Sequence, residues 1–244
     1  MNEYYFDLHI HSCLSPCGDD EMTPHNIAAM ASLAGLQLIA VSDHNSTRNV
    51  RAAMAAANEF DILVVPAMEL TTAEEAHVLC LLPDADAADA FCRYVYSTLP
   101  DMKNDVEVFG SQRVMDGADN ILDEEELLLA GATSISIDSV ARLLGEYGGV
   151  AIPAHIDRPA FSVLSNLGFL DPELGFTAAE VTRNADKNNL LLTNPELSGL
   201  PWLTNSDAHY LTGILDAEYT LALPEKTAAA VISAVRRGAL PGTL

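Results

Sequence analysis

Short apolar stretches rich in β-branched residues alternate along the chain with amphipathic stretches rich in Ala and Leu. The clearest apolar stretches are 36–41, 62–65 and 149–152. Their length and composition are typical of buried parallel strands. Thr23 stands before the first amphipathic stretch and Gly35 follows it, as at the start and end of a helix. The alternation predicts an α/β fold with a parallel sheet, open or closed into a barrel.

Residues 100–133 interrupt this alternation. The segment is acidic, its Asp116-Gly117 pair is typical of a tight turn, and the acidic run 123–126 favours the first turn of a helix. We interpret 100–133 as an insertion into a single domain that spans residues 1–244. The insertion is either a lid over a site or a solvated excursion without a role, and the sequence leaves both open.

The composition favours one sizeable core and argues against two classes of partner. The chain has 244 residues, of which 49% are hydrophobic, and a chain of this length buries roughly 70–75% of its unfolded surface. Lys and Arg number 12 against 35 Asp and Glu, which gives a net charge of −23. This charge repels phosphate polymers and anionic membranes. We therefore expect no long nucleic acid and no membrane as a partner.

The expected location is the cytoplasm. No apolar run reaches the ~18–20 residues of a membrane span, and residues 1–5 lack the basic and then apolar start of a secretory signal. Cys13, Cys17, Cys80 and Cys92 are too sparse for a disulfide scaffold, so we expect free thiols. The pattern carries no signal for the oligomeric state.

Six of the seven histidines fall in short polar motifs at or near the ends of predicted strands. Functional groups collect at the carboxyl ends of strands in parallel α/β folds, so these side chains should converge. The residues that follow predicted strands are His9, His11, His44, Glu69, His155, Asp207 and His209. His77 instead precedes the apolar stretch 78–82, and it can reach the same edge if the loop after Glu69 folds back. We interpret His25, within the first helix, as an ordinary surface residue.

The spacing of these residues is typical of a metal site. In His9-Ile10-His11 both imidazoles lie on one face of a strand, because side chains alternate with period two. Asp207 and His209 repeat the spacing and add an oxygen donor. Imidazole and carboxylate ligands without a dominant thiolate suit Zn²⁺, Mn²⁺ or Fe²⁺ better than Ca²⁺. Asp7 and Asp43, beside these ligands, are expected to orient imidazoles.

The motifs resemble those of the PHP (polymerase and histidinol phosphatase) family of metal-dependent phosphoesterases. The resemblance runs from residue 7 to residue 209 and rests on Asp7-Leu8-His9-Ile10-His11-Ser12, Ser42-Asp43-His44, Glu69, His77, Pro153-Ala154-His155 and Ser206-Asp207-Ala208-His209. It implies a distorted, seven-stranded β/α (TIM-like) barrel with two or three divalent metal ions at its C-terminal mouth.

The resemblance also implies how the ligands divide among the metals. One metal takes His9, His11, Glu69 and Asp207, and a second takes His77 and His155 with Glu69 as a bridge. A third metal takes Asp19, His44 and His209. The loop before Pro24 is longer here than in the usual motif of the family, and the spacing leaves Asp19, Asp20 and Cys17 open as the remaining ligand.

The expected reaction is hydrolysis of a small phosphomonoester, such as a sugar, nucleotide or amino-alcohol phosphate. Clustered metals lower the pKa of a bridging water, and the resulting hydroxide displaces the alcohol in line. Asp207, His209, Glu69 and Arg158 are the expected catalytic residues. Arg158 and Arg183 are the expected phosphate-binding residues, because guanidinium groups contact phosphate oxygens in pairs.

Three alternatives remain open. A nucleotide phosphatase or exonuclease-type phosphodiesterase would use the same metals and would be distinguished by its salt dependence. Amidohydrolase barrels hydrolyse C–N or lactone bonds with similar His-x-His clusters, but commonly add a bridging lysine. Lys103, Lys187 and Lys226 do not lie at predicted strand ends. A non-catalytic regulatory metal module is the third alternative.

Overall fold

The computed structural model describes residues 1–243, and strands alternate with helices through most of this range. The strands are β1 (Asn2–Ile10), β2 (Leu38–Val41), β3 (Leu63–Thr71), β4 (His77–Leu81), β5 (Arg113–Met115), β6 (Ile121–Glu124), β7 (Val150–Pro153), β8 (Ala179–Val181), β9 (Pro201–Thr204), β10 (Thr220–Leu223) and β11 (Gly242–Thr243). The α-helices are α1 (Pro24–Leu33), α2 (Val50–Ala57), α3 (Ala85–Tyr96), α4 (Val106–Phe109), α5 (Ile137–Glu146), α6 (Val163–Leu167), α7 (Lys187–Thr193) and α8 (Ala228–Arg236). Short 3-10 helices cover Asn58–Phe60, Pro172–Leu174, Pro195–Leu197 and Leu211–Gly213.

The main sheet is curled and has the strand order β10-β1-β2-β3-β4-β7. A second sheet has the order β11-β9-β8, and β5 and β6 form a separate hairpin. The mixed α/β class expected from the sequence is confirmed. Because the strands divide between two sheets, the seven-stranded TIM-like barrel stays a prediction.

The main sheet is mixed, whereas the alternation of strands and helices predicted a parallel one. Strands β1, β2 and β3 are parallel, but β4 runs antiparallel to both β3 and β7. Only residues 72–76 connect β3 to β4, and a parallel connection needs about a dozen residues or more. The reversal carries the first residue of β4 to the edge where β2 and β3 end.

The two sheets meet beside the end of β1. The Leu8 backbone N–H donates to Asn205 Oδ1 at 2.9 Å, and Ile10 forms a parallel bridge with Ala208. On the other side, the Ile156 N–H donates to the Glu180 carbonyl at 2.9 Å, which joins the end of β7 to β8. These bonds place the ends of β1, β7, β8 and β9 around one opening.

The core lies on both faces of the main sheet. Strands β2 and β7 are buried along their whole length, as expected of strands covered on both faces. On β2, Leu38 and Ala40 pack in the same cluster as residues of α8, while Ile39 and Val41 pack with residues of α1 and α2. The helices thus hold the strand ends in a fixed frame.

The ends of the first and last long helices follow simple chemistry. The Thr23 side chain accepts a hydrogen bond from the Asn26 N–H, and Gly35 takes a left-handed φ of 79° after the helix, as expected from the sequence. Helix α8 begins at Ala228, where Thr227 caps it by accepting from the Ala230 N–H.

The insertion 100–133 contains α4, β5 and β6. The helix expected to begin in the run 123–126 is absent from the described residues; Asp123 and Glu124 instead belong to β6, which pairs with β5. The acidic side chains explain the difference, because Asp123 and Glu125 bind Arg48 at 2.7 and 2.8 Å. These carboxylates neutralise the Arg48 guanidinium, which lies outside the insertion, and do not stabilise a helix N-terminus.

Two further expectations concern membranes and disulfides. Within residues 1–243, no helix has both the length and the apolar character needed to cross a membrane. The four cysteines are free, as expected; Cys13, Cys80 and Cys92 are buried and Cys17 is exposed.

Candidate metal centre

The polar residues at the strand ends converge on one opening of the fold. They come from β1, β3, β4 and the segments that follow β2, β7 and β9. Most of them are buried, although buried charged groups are costly unless they are paired or bind a metal. The converging residues are His9, His11, His44, Glu69, His77, His155, Asp207 and His209.

Glu69 is the centre of this cluster. Its carboxylate is 1% exposed and five imidazoles surround it. Oε1 lies near His77 Nδ1 (3.0 Å), His155 Nε2 (3.0 Å) and His9 Nε2 (3.3 Å). Oε2 lies near His44 Nδ1 (3.0 Å) and His11 Nε2 (3.3 Å). One carboxylate therefore contacts five of the six histidines of the cluster.

Four residues at this opening, His9, His11, Glu69 and Asp207, are arranged to fit one divalent cation. His11 Nε2 lies 3.2 Å from His9 Nε2 and 3.0 Å from Asp207 Oδ1, and His9 Nε2 lies 3.4 Å from the same oxygen. Ligands bound at about 2.1 Å around one ion are spaced by roughly 3.0–3.4 Å in octahedral and tetrahedral sites. The spacing of these atoms matches that range.

The hydrogen-bond partners support the same interpretation. His44 Nδ1, His155 Nδ1 and Asp207 Oδ1 are buried without a hydrogen-bond partner. Buried polar atoms normally have one, so each unpaired atom calls for an explanation. Nδ1 of His44 and Oδ1 of Asp207 face the carboxylate and imidazole atoms described above. A bound cation would satisfy both atoms, and the residues present therefore fit a metal.

Two further groups adjoin the first. His44, Glu69 and His77 offer ligand atoms within 4.8 Å of one another, and so do His11, His44 and His209. The rings of His11 and His209 stack with centroids 4.2 Å apart. The donors thus extend continuously across the opening, which is consistent with more than one cation.

His77 reaches the site because of the reversed direction of β4. Its partner in the ladder is Thr71, two residues after Glu69 on β3. Phe161 supports it from outside: the Phe161 carbonyl accepts from the His77 N–H at 2.9 Å, and the two rings stack at 5.1 Å. Folding back of the loop after Glu69 explains how a residue at the start of a strand joins residues at strand ends.

The charges of the cluster shift its pKa values strongly. Burial lowers the pKa of His11, but close contacts with the Asp207 and Glu69 carboxylates and their negative charges outweigh burial and raise the pKa to about 9. Burial also lowers that of His44, and the charge of Glu69 raises it to about 9. Burial raises the pKa of Glu69, but the surrounding imidazoles hold it well below its usual range. Burial, with the charge of His11, lowers the pKa of His209 to about 3.

These shifts predict that metal binding releases protons. With pKa values of about 9, His11 and His44 carry protons at pH 7 before a metal binds, and a metal needs the neutral imidazoles. Burial lowers the pKa of His9 as well, but the charges of Glu180, Asp207 and Glu69 raise it well above its usual value, so His9 also carries a proton. We expect release of about three protons per chain at pH 7 and progressively fewer as the pH rises through 9. Their ionic contribution to stability is full below pH 6.5 and is lost as the pH rises through 9. Calorimetric Mn²⁺ titrations in buffers of different ionisation enthalpy measure the release, and metal binding without it would contradict the expectation.

Asp43 and Asp7 position two different parts of the site. Asp43 Oδ1 accepts from Ser15 Oγ at 2.7 Å, and Ser15 Oγ lies 2.8 Å from His11 Nδ1, so Asp43 orients His11 through a hydroxyl. Asp7 was also expected to orient an imidazole, but its carboxylate accepts from the backbone N–H groups of Ser206 and Leu215 at 3.0 and 3.1 Å. It positions the segment that carries Asp207.

Glu180 contacts the site, although it was not among the residues predicted from the sequence. It lies in β8, is 1% exposed, and places Oε2 2.9 Å from His9 Nδ1. The available signal was a single carboxylate in the otherwise apolar run 178–181. Burial raises the pKa of Glu180, but the charge and hydrogen bond of His9 lower it below its usual value.

Solved structures with similar folds include an endonuclease and two proteins described as metal-dependent phosphoesterases. The lesion-specific endonuclease PfuEndoQ from Pyrococcus furiosus matches 97% of this chain with 56% of its own, at 19% identity and a TM-score of 0.73. A two-domain protein from Bacteroides vulgatus, described as containing a PHP-like metal-dependent phosphoesterase, matches 97% of this chain with 63% of its own, at 14% identity and a TM-score of 0.56. A protein from Bifidobacterium adolescentis, described as a candidate metal-dependent phosphoesterase, matches 84% with 87% of its own, at 19% identity and a TM-score of 0.56.

This chain has the PHP fold. The resemblance expected from the motifs is confirmed at that level, and the three neighbours named above are described as an endonuclease and two metal-dependent phosphoesterases. The chain spans a little over half the length of the endonuclease structures that it matches. No protein-family model and no curated protein matches the sequence.

In this PHP fold, the loop 15–20, which was expected to supply the remaining ligand of a third metal, lies beside the cluster. The Asp19 N–H donates to the His209 carbonyl at 2.9 Å, while the Asp19 carboxylate accepts from the Glu21 N–H at 2.8 Å. Asp20 binds Ser111 and Arg113 of the insertion at 2.5 and 2.8 Å. Among the described residues, neither carboxylate joins a group of three or more potential ligands. The choice among Asp19, Asp20 and Cys17 stays a prediction.

The two arginines expected to bind phosphate lie in different places. Arg158 lines the metal cavity of about 190 Å³, and its Nη1 lies 2.5 Å from Asp207 Oδ2. Arg183 lines a separate cavity with Leu211 and lies 3.7 Å from Glu218. The structure therefore brings Arg158 to the candidate site and leaves Arg183 outside this cavity. The role of Arg183 stays a prediction.

Proposed function

We propose that this chain is a metal-dependent phosphoesterase that hydrolyses a small phosphomonoester. The observation that carries the proposal is a single cavity that joins Glu69, shared among five imidazoles, to the Arg158 guanidinium. Ligands for two or three divalent ions and a cation for phosphate oxygens thus face the same space. Mn²⁺, Zn²⁺ and Fe²⁺ all suit this set of nitrogen and oxygen donors.

Divalent metals at this site would neutralise phosphate charge and lower the pKa of a water molecule. His9, His11, Glu69 and Asp207 would hold one ion, and His77 and His155 would share Glu69 with a second. His44 and His209 would hold the third. The fold supplies position, because the ligands lie on or shortly after buried strands, and a rigid frame keeps their geometry better than a long loop would.

Arg158 is suited to contact the substrate, and His209 is suited to hold a metal beside it. Arg158 is 42% exposed at its side chain, so its guanidinium can pair with phosphate oxygens at the cavity rim. His209 Nδ1 lies 2.9 Å from the Asp207 carbonyl and donates to it, which leaves Nε2 as the nitrogen with a free lone pair. With a pKa of about 3, the His209 ring stays neutral at pH 7 and is ready to bind a metal.

The size and charge of the protein favour a small substrate. The metal cavity measures about 190 Å³, which is less than the ~300–1,000 Å³ of sites for drug-sized ligands. The net charge of −23 opposes the approach of a long polyanion.

We assign the insertion 100–133 to the same single domain and propose that it is a lid. Ser111 and Arg113 of the insertion bind Asp20, and the neighbouring Asp19 N–H donates to the His209 carbonyl, so the insertion is tied to the loop beside His209. A cytoplasmic location stays a prediction.

A second candidate is hydrolysis of a phosphodiester in nucleic acid. The observation that favours it is the similarity to the endonuclease, a related structure of which holds a 27-mer duplex with an abasic lesion at the active site. Binding of a nucleic acid weakens steeply with salt, whereas binding of a single small phosphate weakens much less. Comparing turnover at two salt concentrations therefore separates the candidates.

An amidohydrolase-like reaction has less support. Lys103 pairs with Glu126, Lys226 pairs with Asp61, and Lys187 lies over the Trp202 ring. None of these lysines lines the metal cavity in the described part of the chain. A non-catalytic metal module would hold the same ions and show no turnover.

Phosphate release tests the proposal. Protein stripped with a chelator is reloaded separately with Mn²⁺, Zn²⁺ or Fe²⁺ and offered a panel of small phosphomonoesters, an oligonucleotide and an amide. We expect phosphate release from at least one monoester with at least one metal, and far slower release from the Asp207→Asn protein. Cleavage of the oligonucleotide or amide without phosphate release from any monoester would overturn the proposal in favour of another hydrolase.

A further inference from the structure

Glu180 is a buried carboxylate that does not belong to any of the potential metal-ligand groups of the described residues. It lies in β8 between Ala179 and Val181, both fully buried. Placing a carboxylate in such a strand is costly unless hydrogen bonds compensate for the lost hydration. The surroundings of Glu180 supply those bonds.

Three donors surround the Glu180 carboxylate. His9 Nδ1 lies 3.1 Å from Oε1 and 2.9 Å from Oε2. The His155 backbone N–H donates to Oε1 at 3.1 Å, and Asn205 Nδ2 donates to Oε2 at 2.8 Å. Both carboxylate oxygens are therefore used as acceptors.

The contact with His9 selects the role of each ring nitrogen. A carboxylate that accepts from Nδ1 keeps the proton there and leaves the Nε2 lone pair free. Nε2 is the atom that faces His11, Glu69 and Asp207. The same carboxylate binds the backbone of His155, whose ring faces Glu69 from the other side.

We propose that Glu180 is a positioning residue that fixes the tautomer and ring orientation of His9 and ties the His9 and His155 subsites together. Hydrogen-bonded carboxylates behind metal-binding histidines raise the basicity of the ring and hold it toward the metal. This inference rests on the metal centre of the proposed function. It does not depend on which substrate is hydrolysed.

Glutamine at position 180 is the informative substitution because it preserves size. An amide offers one acceptor oxygen, and its NH₂ group faces a donor wherever it is turned. His9 Nδ1–H, the His155 N–H and Asn205 Nδ2 then compete for that oxygen. We expect Glu180→Gln to bind Zn²⁺ about 10–100-fold more weakly than the wild type.

Two measurements test the role of Glu180. Competition with a chromophoric chelator gives the Zn²⁺ affinity of the wild type and Glu180→Gln. The ¹⁵N spectrum of the Zn²⁺-loaded wild type gives the tautomer of His9, assigned by the signal missing in His9→Gln. We expect weaker Zn²⁺ binding in the variant and a proton on Nδ1 of His9 in the wild type. The spectrum needs no folded Glu180 variant.

Glu74→Gln is the matched control. The Glu74 carboxylate also accepts two hydrogen bonds, from Ser136 Oγ at 2.8 Å and the Ile137 N–H at 2.9 Å, and it lies outside the metal cavity. We expect this control to keep wild-type Zn²⁺ affinity. Wild-type affinity in folded Glu180→Gln, or a proton on Nε2 of His9, would overturn the proposal. If Glu180→Gln bound Zn²⁺ more weakly and His9 carried its proton on Nδ1, but the wild type showed no phosphatase activity, only the proposed function would be contradicted.

Discussion

Glu69→Gln is expected to lower turnover by on the order of 10³-fold or more, beyond the roughly 10–100-fold cost of losing a residue that only orients a ligand. Glu69 is the one carboxylate that approaches His9, His11, His44, His77 and His155. The glutamine amide keeps the shape of the Glu69 side chain but lacks the negative charge that balances the metals. The variant should therefore bind fewer ions per chain than the wild type.

Metal content by plasma emission spectroscopy and turnover on the preferred monoester check this expectation together. Glu74→Gln makes the same chemical change at a carboxylate outside the cavity and should keep both the metals and the activity. If Glu69→Gln retained the full complement of metals and near-normal turnover, Glu69 would not be a shared ligand.

Asp207→Asn is expected to reduce turnover by a similar factor, on the order of 10³-fold. Asp207 closes the group formed with His9 and His11, at 3.4 and 3.0 Å from their Nε2 atoms, and also contacts Arg158. Its φ is 51°, in the left-handed region. Asparagine tolerates that backbone better than alanine does, so the substitution removes the charge with little added strain.

Asp119→Asn is the matched control for Asp207→Asn. Asp119 has a φ of 60°, and its carboxylate accepts from the His25 N–H at 3.0 Å, in the insertion and outside the metal cavity. We expect the control to remain active. Steady-state kinetics with circular dichroism of both proteins separate loss of chemistry from loss of fold. A folded Asp207→Asn protein with wild-type kcat/KM would show that Asp207 has no part in catalysis.

The sequence predicted the residues of the candidate site more completely than the arrangement of the strands. Polar residues directly after apolar strands, such as His44 and His155, are easily recognised because function collects at strand ends. His9 and His11 are recognised by the period of a strand, and their Nε2 atoms lie 3.2 Å apart. These features are local, and local spacing is what a sequence displays.

Features that depend on tertiary contacts were harder to predict. Glu180 contacts His9 across 171 positions of the chain, and a single glutamate in a short strand does not reveal its partner. The helix expected at 123–126 was wrong because the acidic side chains bind Arg48, which is distant in sequence. The reversal of β4 follows from the short connection between β3 and β4, whose length can be seen in the sequence. That the reversal brings His77 to the site is visible only in the folded structure.

Anomalous diffraction from crystals grown with Mn²⁺ tests the central claim most directly. We expect a peak within bonding distance of His9, His11, Glu69 and Asp207, and a second within bonding distance of Glu69 and His77. Crystals that contain Mn²⁺ at full occupancy elsewhere, with no peak among these side chains, would contradict the assignment of a metal centre at this opening.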